Sequence, residues 1–182
     1  MDSLHSARLT LRPFTLDDAE DLAARRSDPK TAEFQAWAVP YSLERALSLV
    51  EKVNGHAWGA PGEWHQLVIV DTESGRTVGD VCFYLAGHGH SAEIGYTLHP
   101  WARGKGYATE AASVLVDHLV TELRVHRLEA STHPDNIASN RVLERLGFTL
   151  EGIRRESYWV EDVVTDDAVW GLLARDWTVA KP

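Results

Sequence analysis

The chain has 182 residues, 44% of them hydrophobic and 25% charged, which suits one compact domain spanning residues 1–182 with a sizeable buried core. Its formal net charge is −9, so binding to nucleic acid through a basic surface is not expected. The single cysteine, Cys82, excludes an intrachain disulfide framework and, within the apolar run 78–85, is interpreted as a core residue.

The sequence has neither the pattern of a membrane segment nor that of a metal site. The first residues lack the basic and then apolar start of a signal peptide, and the apolar runs are too short to cross a bilayer. There are nine histidines, but His88 and His90 lie in a glycine-rich turn without further ligands at metal-binding spacing. We therefore expect a cytoplasmic protein with no membrane partner and no metal.

The first part of the chain predicts a strand, a helix and an aromatic loop. Polar and apolar side chains alternate over residues 8–14, which is typical of a half-buried strand. Asp17 and Glu20 have the spacing of a helix cap, and the helix is expected to run to about Ser27. The loop 33–41 is rich in aromatic residues, so it either walls a substrate pocket or packs over a neighbouring core.

A second helix and three strands follow. Ser42 is a typical N-cap and Gly55 a typical stop, and the apolar residues between them recur at helical spacing. Runs of β-forming residues separated by turn signals predict three antiparallel strands, at 64–70, 77–85 and 92–98.

The second half of the chain predicts a helix, a strand, a helix and two strands. The helix over 109–124 has one apolar stripe, formed by Ala108, Ala112, Leu115, Leu119 and Leu123. A short strand over 126–132 precedes a helix that Ser139 or Asn136 can cap and that Gly147 ends. The last two strands, 148–158 and 164–174, flank the acidic turn Val160-Glu161-Asp162.

The stretch 101–108 joins the last of the three strands to the long helix. Gly104 and Gly106 allow the backbone to approach a ligand closely, and Arg103 and Lys105 add positive charge. The first N–H groups of a helix have no internal acceptors and lie at the positive end of its dipole. Such a turn predicts a phosphate or pyrophosphate ligand, although a glycine-containing helix start without a ligand would have the same pattern.

Two common phosphate motifs do not fit this turn. A nucleoside triphosphate loop needs G-x-x-x-x-G-K-S/T, and here Lys105 is followed by Gly106. The dinucleotide motif G-x-G-x-x-G fails because Thr109 stands where the third glycine belongs. The residues match Q/R-x-x-G-x-G/A instead, which resembles the pyrophosphate-binding turn of the GNAT superfamily of acyl-CoA-dependent N-acyltransferases.

Three further stretches resemble the same superfamily, namely Arg8 to Phe14, Glu93 to Leu98, and Asn136 to Asn140 followed by Leu146 to Phe148. Together they are most similar to the subgroup that contains bacterial ribosomal-protein N-terminal acetyltransferases. The resemblance implies an α/β (α+β) GNAT fold, with a mixed, mostly antiparallel central sheet of about seven strands and about four helices. It also implies a V-shaped opening between the fourth strand, 92–98, and the fifth, 126–132.

The resemblance further implies acetyl-CoA as co-substrate. Its pantetheine would pair with the fourth strand at Tyr96, Thr97 and Leu98, because an amide chain can satisfy a strand edge as another strand would. Its pyrophosphate would lie on the turn formed by Arg103, Gly104, Lys105, Gly106, Tyr107, Ala108 and Thr109. Asn136, Ser139 and Asn140 would lie near the pantetheine or its sulfur.

Acyl transfer from a thioester to an amine needs a group to take the amine proton and a group to protonate the thiolate. Glu93 is the first candidate for the base, Glu129 is an alternative, and Glu93 could equally be an ordinary strand-edge carboxylate. Many family members protonate the thiolate with a helix tyrosine, but Glu144 occupies that position here. In the ribosomal-protein subgroup the serine of N-x-x-S, which is Ser139 here, fills this place.

The sequence thus predicts an acetyl-CoA-dependent N-acetyltransferase that acts on a primary amine, either a protein or peptide N-terminus or a small molecule. We expect the loop 33–41, the segment 53–64 and the hairpin 157–167 to wall the acceptor site. The competing hypothesis is a non-catalytic acyl-CoA-binding regulatory module. A phosphotransferase is not expected, because this sequence lacks the metal-binding groups that such an enzyme needs. Homodimerisation through the last strands is possible.

Overall fold

An eight-stranded sheet with helices on both faces forms the protein in the computed structural model, which describes residues 2–160 and 163–178. The strand order is β1-β2-β3-β4-β5-β6-β8-β7, and every neighbouring pair is antiparallel except β5 and β6. The strands are β1 (Leu4–His5), β2 (Leu9–Pro13), β3 (Trp64–Asp71), β4 (Thr77–Leu85), β5 (Ser91–Leu98), β6 (Arg127–Thr132), β7 (Thr149–Val160) and β8 (Val163–Leu173).

Five helices connect these strands: α1 (Ala19–Ser27), α2 (Pro29–Ala32), α3 (Leu43–Asn54), α4 (Tyr107–Thr121) and α5 (Ile137–Arg145). The predicted fold class and the predicted order of elements are confirmed. The structure adds the two-residue strand β1 and the four-residue helix α2, both too short to have a periodic sequence signal. Of the predicted acidic turn, Glu161 and Asp162 lie outside the described residues.

Several helix ends differ from the predicted ones for local reasons. The cap before α1 is formed by Thr15 and Asp18 rather than Asp17 and Glu20, since the Asp18 carboxylate accepts hydrogen bonds from the backbone N–H and hydroxyl of Thr15. Helix α4 begins two residues earlier than predicted, directly after Gly106, whose φ of 81° ends the preceding turn.

Two apolar clusters hold the helices to opposite faces of the sheet. Leu115 and Leu119 of α4 belong to the larger cluster, with Phe83 and Leu128 of the sheet. The smaller cluster joins α1 and α3 to the other face. Burying each such leucine stabilises the fold by about 1.5–3 kcal/mol, so these contacts hold both helical layers against the sheet.

A buried ion network ties α1 to the strands that lead to the glycine turn. Arg25, whose side chain is 0% exposed, donates to Asp80 at 2.6 Å and to Asp21 at 2.5 Å. The second carboxylate oxygen of Asp21 lies 2.8 Å from the ring of His99, just after β5. Moving α1 away from the end of β5 would leave buried charges of this network without partners, which costs free energy. The network therefore fixes α1 against the end of β5.

None of the described helices combines the length and the apolar composition that crossing a bilayer requires.

Candidate functional site

The parallel pairing between β5 and β6 ends early and opens the sheet. Residues 91–93 of β5 pair with residues 127–129 of β6, and the pairing stops there. From Ile94 and Ala130 onward the two strands diverge, and both contribute residues to the cavity between them. This divergence is the predicted V-shaped opening.

The glycine turn lies at the end of β5 and at the start of α4. Gly104 and Gly106 have φ angles of 74° and 81°, a left-handed conformation that glycine adopts without steric cost. A Cβ atom at Gly104 would meet nothing within 4 Å, so the space in front of the turn is open. Among the described residues, none accepts a hydrogen bond from the backbone N–H groups of residues 104–109. The turn therefore has the free donors and the space that a diphosphate needs.

Arg8, the residue directly before β2, contacts this turn and the start of α4. Its guanidinium donates to the carbonyl of Lys105 at 3.2 Å and to the carboxylate of Glu110 at 2.7 Å. It also lies over the ring of Tyr107, 4.7 Å from the ring centre. Arg8 thus fixes the backbone of the turn and the first turn of α4 together.

A cavity of about 360 Å³, here called the basic cleft, runs from the glycine turn along α5. Its charged lining residues are Arg103, Arg141 and Arg145, and no carboxylate is among the residues that line it in the described chain. In a protein with 27 acidic and 18 basic residues this is a marked local excess of positive charge. The full lining is Gln35, Tyr96, Thr97, Leu98, Arg103, Gly104, Gly106, Tyr107, Ala108, Thr109, Asn136, Ala138, Ser139, Arg141, Val142 and Arg145.

A second cavity, of about 180 Å³ and here called the acidic cavity, lies in the opening between β5 and β6. Three carboxylates line it, those of Glu93, Asp166 and Asp167. The rings of Phe34 and His133, 5.0 Å apart, join the loop after α2 to the end of β6 at its edge. The cavity is therefore suited to a cationic group rather than an anion.

Four residues line both cavities, namely Gln35, Tyr96, Asn136 and Ser139. At this junction the hydroxyl of Tyr96 lies 2.9 Å from the Ser139 hydroxyl and donates to the Ser139 carbonyl at 3.1 Å. The amide oxygen of Asn136 accepts from the backbone N–H of Ser139, so Asn136 caps α5. The Ser139 side chain is consequently not needed as a cap.

Burial raises the pKa of Tyr96 well above that of an exposed phenol, so the phenol is neutral and can donate a hydrogen bond. Burial also raises the pKa of Glu93, and the negative charges of Asp167 and Glu129 raise it further against the opposing effect of Arg154. Glu93 is thereby a better proton acceptor near neutral pH than an exposed glutamate would be.

Most of the predicted site residues lie at these two cavities. Glu93 lines the acidic cavity, Tyr96, Asn136 and Ser139 line both, and Thr97, Leu98, Arg103, Gly104, Gly106, Tyr107, Ala108 and Thr109 line the basic cleft. Lys105 lines neither, since its ammonium group lies 5.2 Å from the centre of the Trp101 ring. Asn140 also lines neither, because its amide bonds Thr132 and the carbonyl of Pro134.

Other predicted groups have different surroundings from those expected. The Arg103 guanidinium donates to the hydroxyl of Thr31 at 2.7 Å, which ties the glycine turn to α2. Glu129 accepts a hydrogen bond from Arg127 at 2.8 Å and lines neither cavity. Glu144 is exposed on α5, also away from both. Burial raises the pKa of the Cys82 thiol to about 12, so it is neutral.

Two of the three segments predicted to wall the acceptor site contribute to the acidic cavity. The loop after α2 contributes Phe34 and Gln35, and the last hairpin contributes Tyr158, Thr165, Asp166 and Asp167. The segment 53–64 contributes no lining residue to either cavity. Its Trp58 packs against Phe83 on the α4 side of the sheet and donates to His118. Sequence reasoning also missed Arg141 and Arg145, whose only signal was their spacing of four on one helix.

Comparison with known proteins agrees with the family resemblance inferred from the sequence. The family model described as an acetyltransferase (GNAT) domain matches residues 8–149. The uncharacterized N-acetyltransferase p20 of Bacillus licheniformis is 30% identical over 178 residues, 97% of this chain and 99% of the relative. The ribosomal protein uS5 alanine N-acetyltransferase of Escherichia coli is 29% identical over 94 residues, 52% of this chain and 48% of the relative. The structure of Mycobacterium smegmatis RimJ in complex with CoA-disulfide has a TM-score of 0.84 and 25% identity, covering 96% of this chain and 88% of that one.

The raised pKa of Glu93 predicts a stability cost that depends on pH. The folded state binds this proton more tightly than the unfolded chain does, so stability falls as pH rises from the unfolded pKa, about 4.3, through the raised folded pKa. Glu93→Gln should therefore be more stable than the wild type at pH 7, with the difference vanishing below about pH 4. Urea unfolding of both proteins at several pH values measures this.

Glu144→Gln, which removes an exposed carboxylate of the same type, is the matched control and should show no such pH-dependent gain. A Glu93→Gln protein that is no more stable than the wild type at pH 7 would contradict a buried, like-charged environment for Glu93.

Proposed function

The chain belongs to the GNAT acetyltransferase family, and on that basis we propose that it transfers an acetyl group from acetyl-CoA to a primary amine by direct attack in a ternary complex. One observation carries this proposal: a basic cleft and an acidic cavity, suited to an anionic donor and a cationic acceptor, meet at Tyr96 and Ser139. A reaction between the two bound molecules would take place where the cavities join.

The basic cleft fits acetyl-CoA through its free donors and its charge. In the proposed complex the backbone N–H groups of residues 104–109, with Arg103, hold the diphosphate. The edge of β5 at residues 96–98 lies beyond the last pair with β6, so its backbone is available to the amides of pantetheine. When bound, the coenzyme supplies the activated thioester at the junction of the two cavities.

The residues at the junction then have distinct roles. The amine nitrogen attacks the thioester carbonyl, forming the C–N bond, and Glu93 takes the amine proton directly or through a water molecule. The C–S bond breaks, and the departing thiolate takes a proton from the Ser139 hydroxyl, which regains a proton from solvent in the same step. Tyr96 is a positioning residue, because its hydroxyl bonds both the Ser139 hydroxyl and the Ser139 carbonyl. Glu93 is preferred to Glu129 as base because it lines the acidic cavity.

The acidic cavity supports a cationic primary amine as acceptor. Its carboxylates would attract an ammonium group, which releases one proton to solvent to become the nucleophilic amine, so that Glu93 is free to take the second proton on attack. Its volume of about 180 Å³ is below the 300 Å³ or so of a typical small-molecule site, so it encloses the reacting end of an acceptor. Both a peptide N-terminus and the end of a small aliphatic amine meet this requirement.

A thiol-release assay tests the proposal directly. Purified protein with acetyl-CoA should release free CoA thiol in the presence of cationic primary amines or peptides with free N-termini, and not with their N-acetylated forms. Acetyl-CoA that binds but is not consumed across a broad panel of amines would contradict the proposal. That result would favour a non-catalytic acyl-CoA-binding module.

Replacing the Ser139 hydroxyl separates catalysis from binding. Ser139→Ala should lower kcat by about 10²-fold or more, because a positioned general acid contributes that much, while the Kd for acetyl-CoA changes little. Tyr96→Phe should lower kcat by a smaller factor with little change in KM. Steady-state kinetics and calorimetry measure the two effects separately.

Ser48→Ala is the matched control, since Ser48 is an exposed helix serine on α3, away from both cavities. Equal kcat in Ser139→Ala and in the control would remove Ser139 from the mechanism.

A further inference from the structure

Two arginines on α5 line the basic cleft, and one of them, Arg145, also lies in the last turn of the helix, where a positive charge complements the helix dipole. Arg141 and Arg145 are four residues apart, and together with Ala138 and Val142 they form the face of α5 that lines the cleft. Both arginines are exposed, as is Ala138. The guanidinium groups are therefore in reach of a ligand in the cleft.

Neither side chain has a partner within residues 2–160 and 163–178. No ion pair or side-chain hydrogen bond of Arg141 or Arg145 is found there. Other arginines near the sheet are engaged: Arg127 pairs with Glu129 and Glu151, and Arg103 bonds Thr31. Two neighbouring like charges on one helix repel each other, so their placement costs stability unless an anion joins them.

The position of the pair along α5 indicates which part of a ligand it would meet. Ser139 lines both cavities, whereas Arg141 and Arg145 line the basic cleft alone. At about 1.5 Å per residue, Arg141 lies about 3 Å and Arg145 about 9 Å farther along the helix axis than Ser139. The pair is therefore displaced from the junction where the thioester would react.

We propose that Arg141 and Arg145 bind the 3′-phosphate on the ribose of the coenzyme. This inference rests on the proposed function, because it takes acetyl-CoA as the ligand of the cleft. Acetyl-CoA has two anionic groups, a diphosphate and a phosphomonoester on the ribose. The free N–H groups of the glycine turn serve the diphosphate, which leaves the phosphomonoester for the arginines of α5. Two guanidinium groups match its charge of nearly −2 and its three terminal oxygens.

Comparison of acetyl-CoA with 3′-dephospho-acetyl-CoA isolates this interaction. Wild-type protein should bind acetyl-CoA more tightly than the dephospho compound by about tenfold or more, as expected for charge-assisted hydrogen bonds to a phosphate. In R141Q/R145Q the affinity for acetyl-CoA should fall by the same factor, and the affinity for the dephospho compound should be unchanged. Calorimetry with both ligands and both proteins gives the four Kd values.

Three further variants separate the proposed contact from general charge effects and from misfolding. R155Q/R175Q removes two exposed arginines outside both cavities. It should keep the wild-type ratio between the affinities for acetyl-CoA and for 3′-dephospho-acetyl-CoA. R141K/R145K keeps the charge and should retain part of that ratio. A glutamine variant whose circular dichroism and dephospho-acetyl-CoA affinity match those of the wild type is folded.

The outcomes are distinct. If R141Q/R145Q lowered the affinity for both ligands by the same factor, the arginines would contact the diphosphate and the proposal would be overturned. Wild-type protein that binds the two ligands equally would also overturn it, while leaving the acetyltransferase function in place. Failure of the wild type to bind acetyl-CoA at all would overturn the proposed function together with this inference.

Discussion

The early end of the pairing between β5 and β6 is the constraint on which the site depends. Three residue pairs join the two strands, and beyond Glu93 the backbone edge of β5 has no partner in β6. If the pairing continued beyond this point, β6 would occupy the edge of β5 and no cleft would form between the two strands. Because it opens, one edge of β5 faces a cleft, and α4 and α5 can approach from the same side of the sheet.

The two cavities that result have opposite charge although they share four lining residues. Among residues 2–160 and 163–178, the charged residues that line the basic cleft are arginines, and carboxylates dominate the acidic cavity. An anionic donor and a cationic acceptor can therefore be held next to each other without competing for one site. The hydrogen bond between Tyr96 and Ser139 lies at the boundary, where the proposed reaction has a proton move to the thiolate.

Much of this fold could be predicted because its elements have strong local signals. Alternating side chains predicted the strands, and the glycines at 104 and 106 predicted an anion-binding helix start. Contacts that depend on distant parts of the chain could not be predicted. No local pattern indicates that the Tyr96 hydroxyl reaches Ser139 across the opening, or that Arg103 bonds Thr31 on a helix of four residues. The same holds for the segment 53–64, which was expected to wall the acceptor site but lines neither cavity, and whose Trp58 packs against Phe83 instead.

The central claim is that the basic cleft places the thioester of acetyl-CoA at the junction with the acidic cavity. A crystal structure of the protein with acetyl-CoA measures this most directly. The claim predicts that the diphosphate lies on the N–H groups of residues 104–109 and that the acetyl group lies between Glu93 and the hydroxyl of Ser139. A coenzyme bound elsewhere, or one whose acetyl group lies away from both side chains, would contradict it.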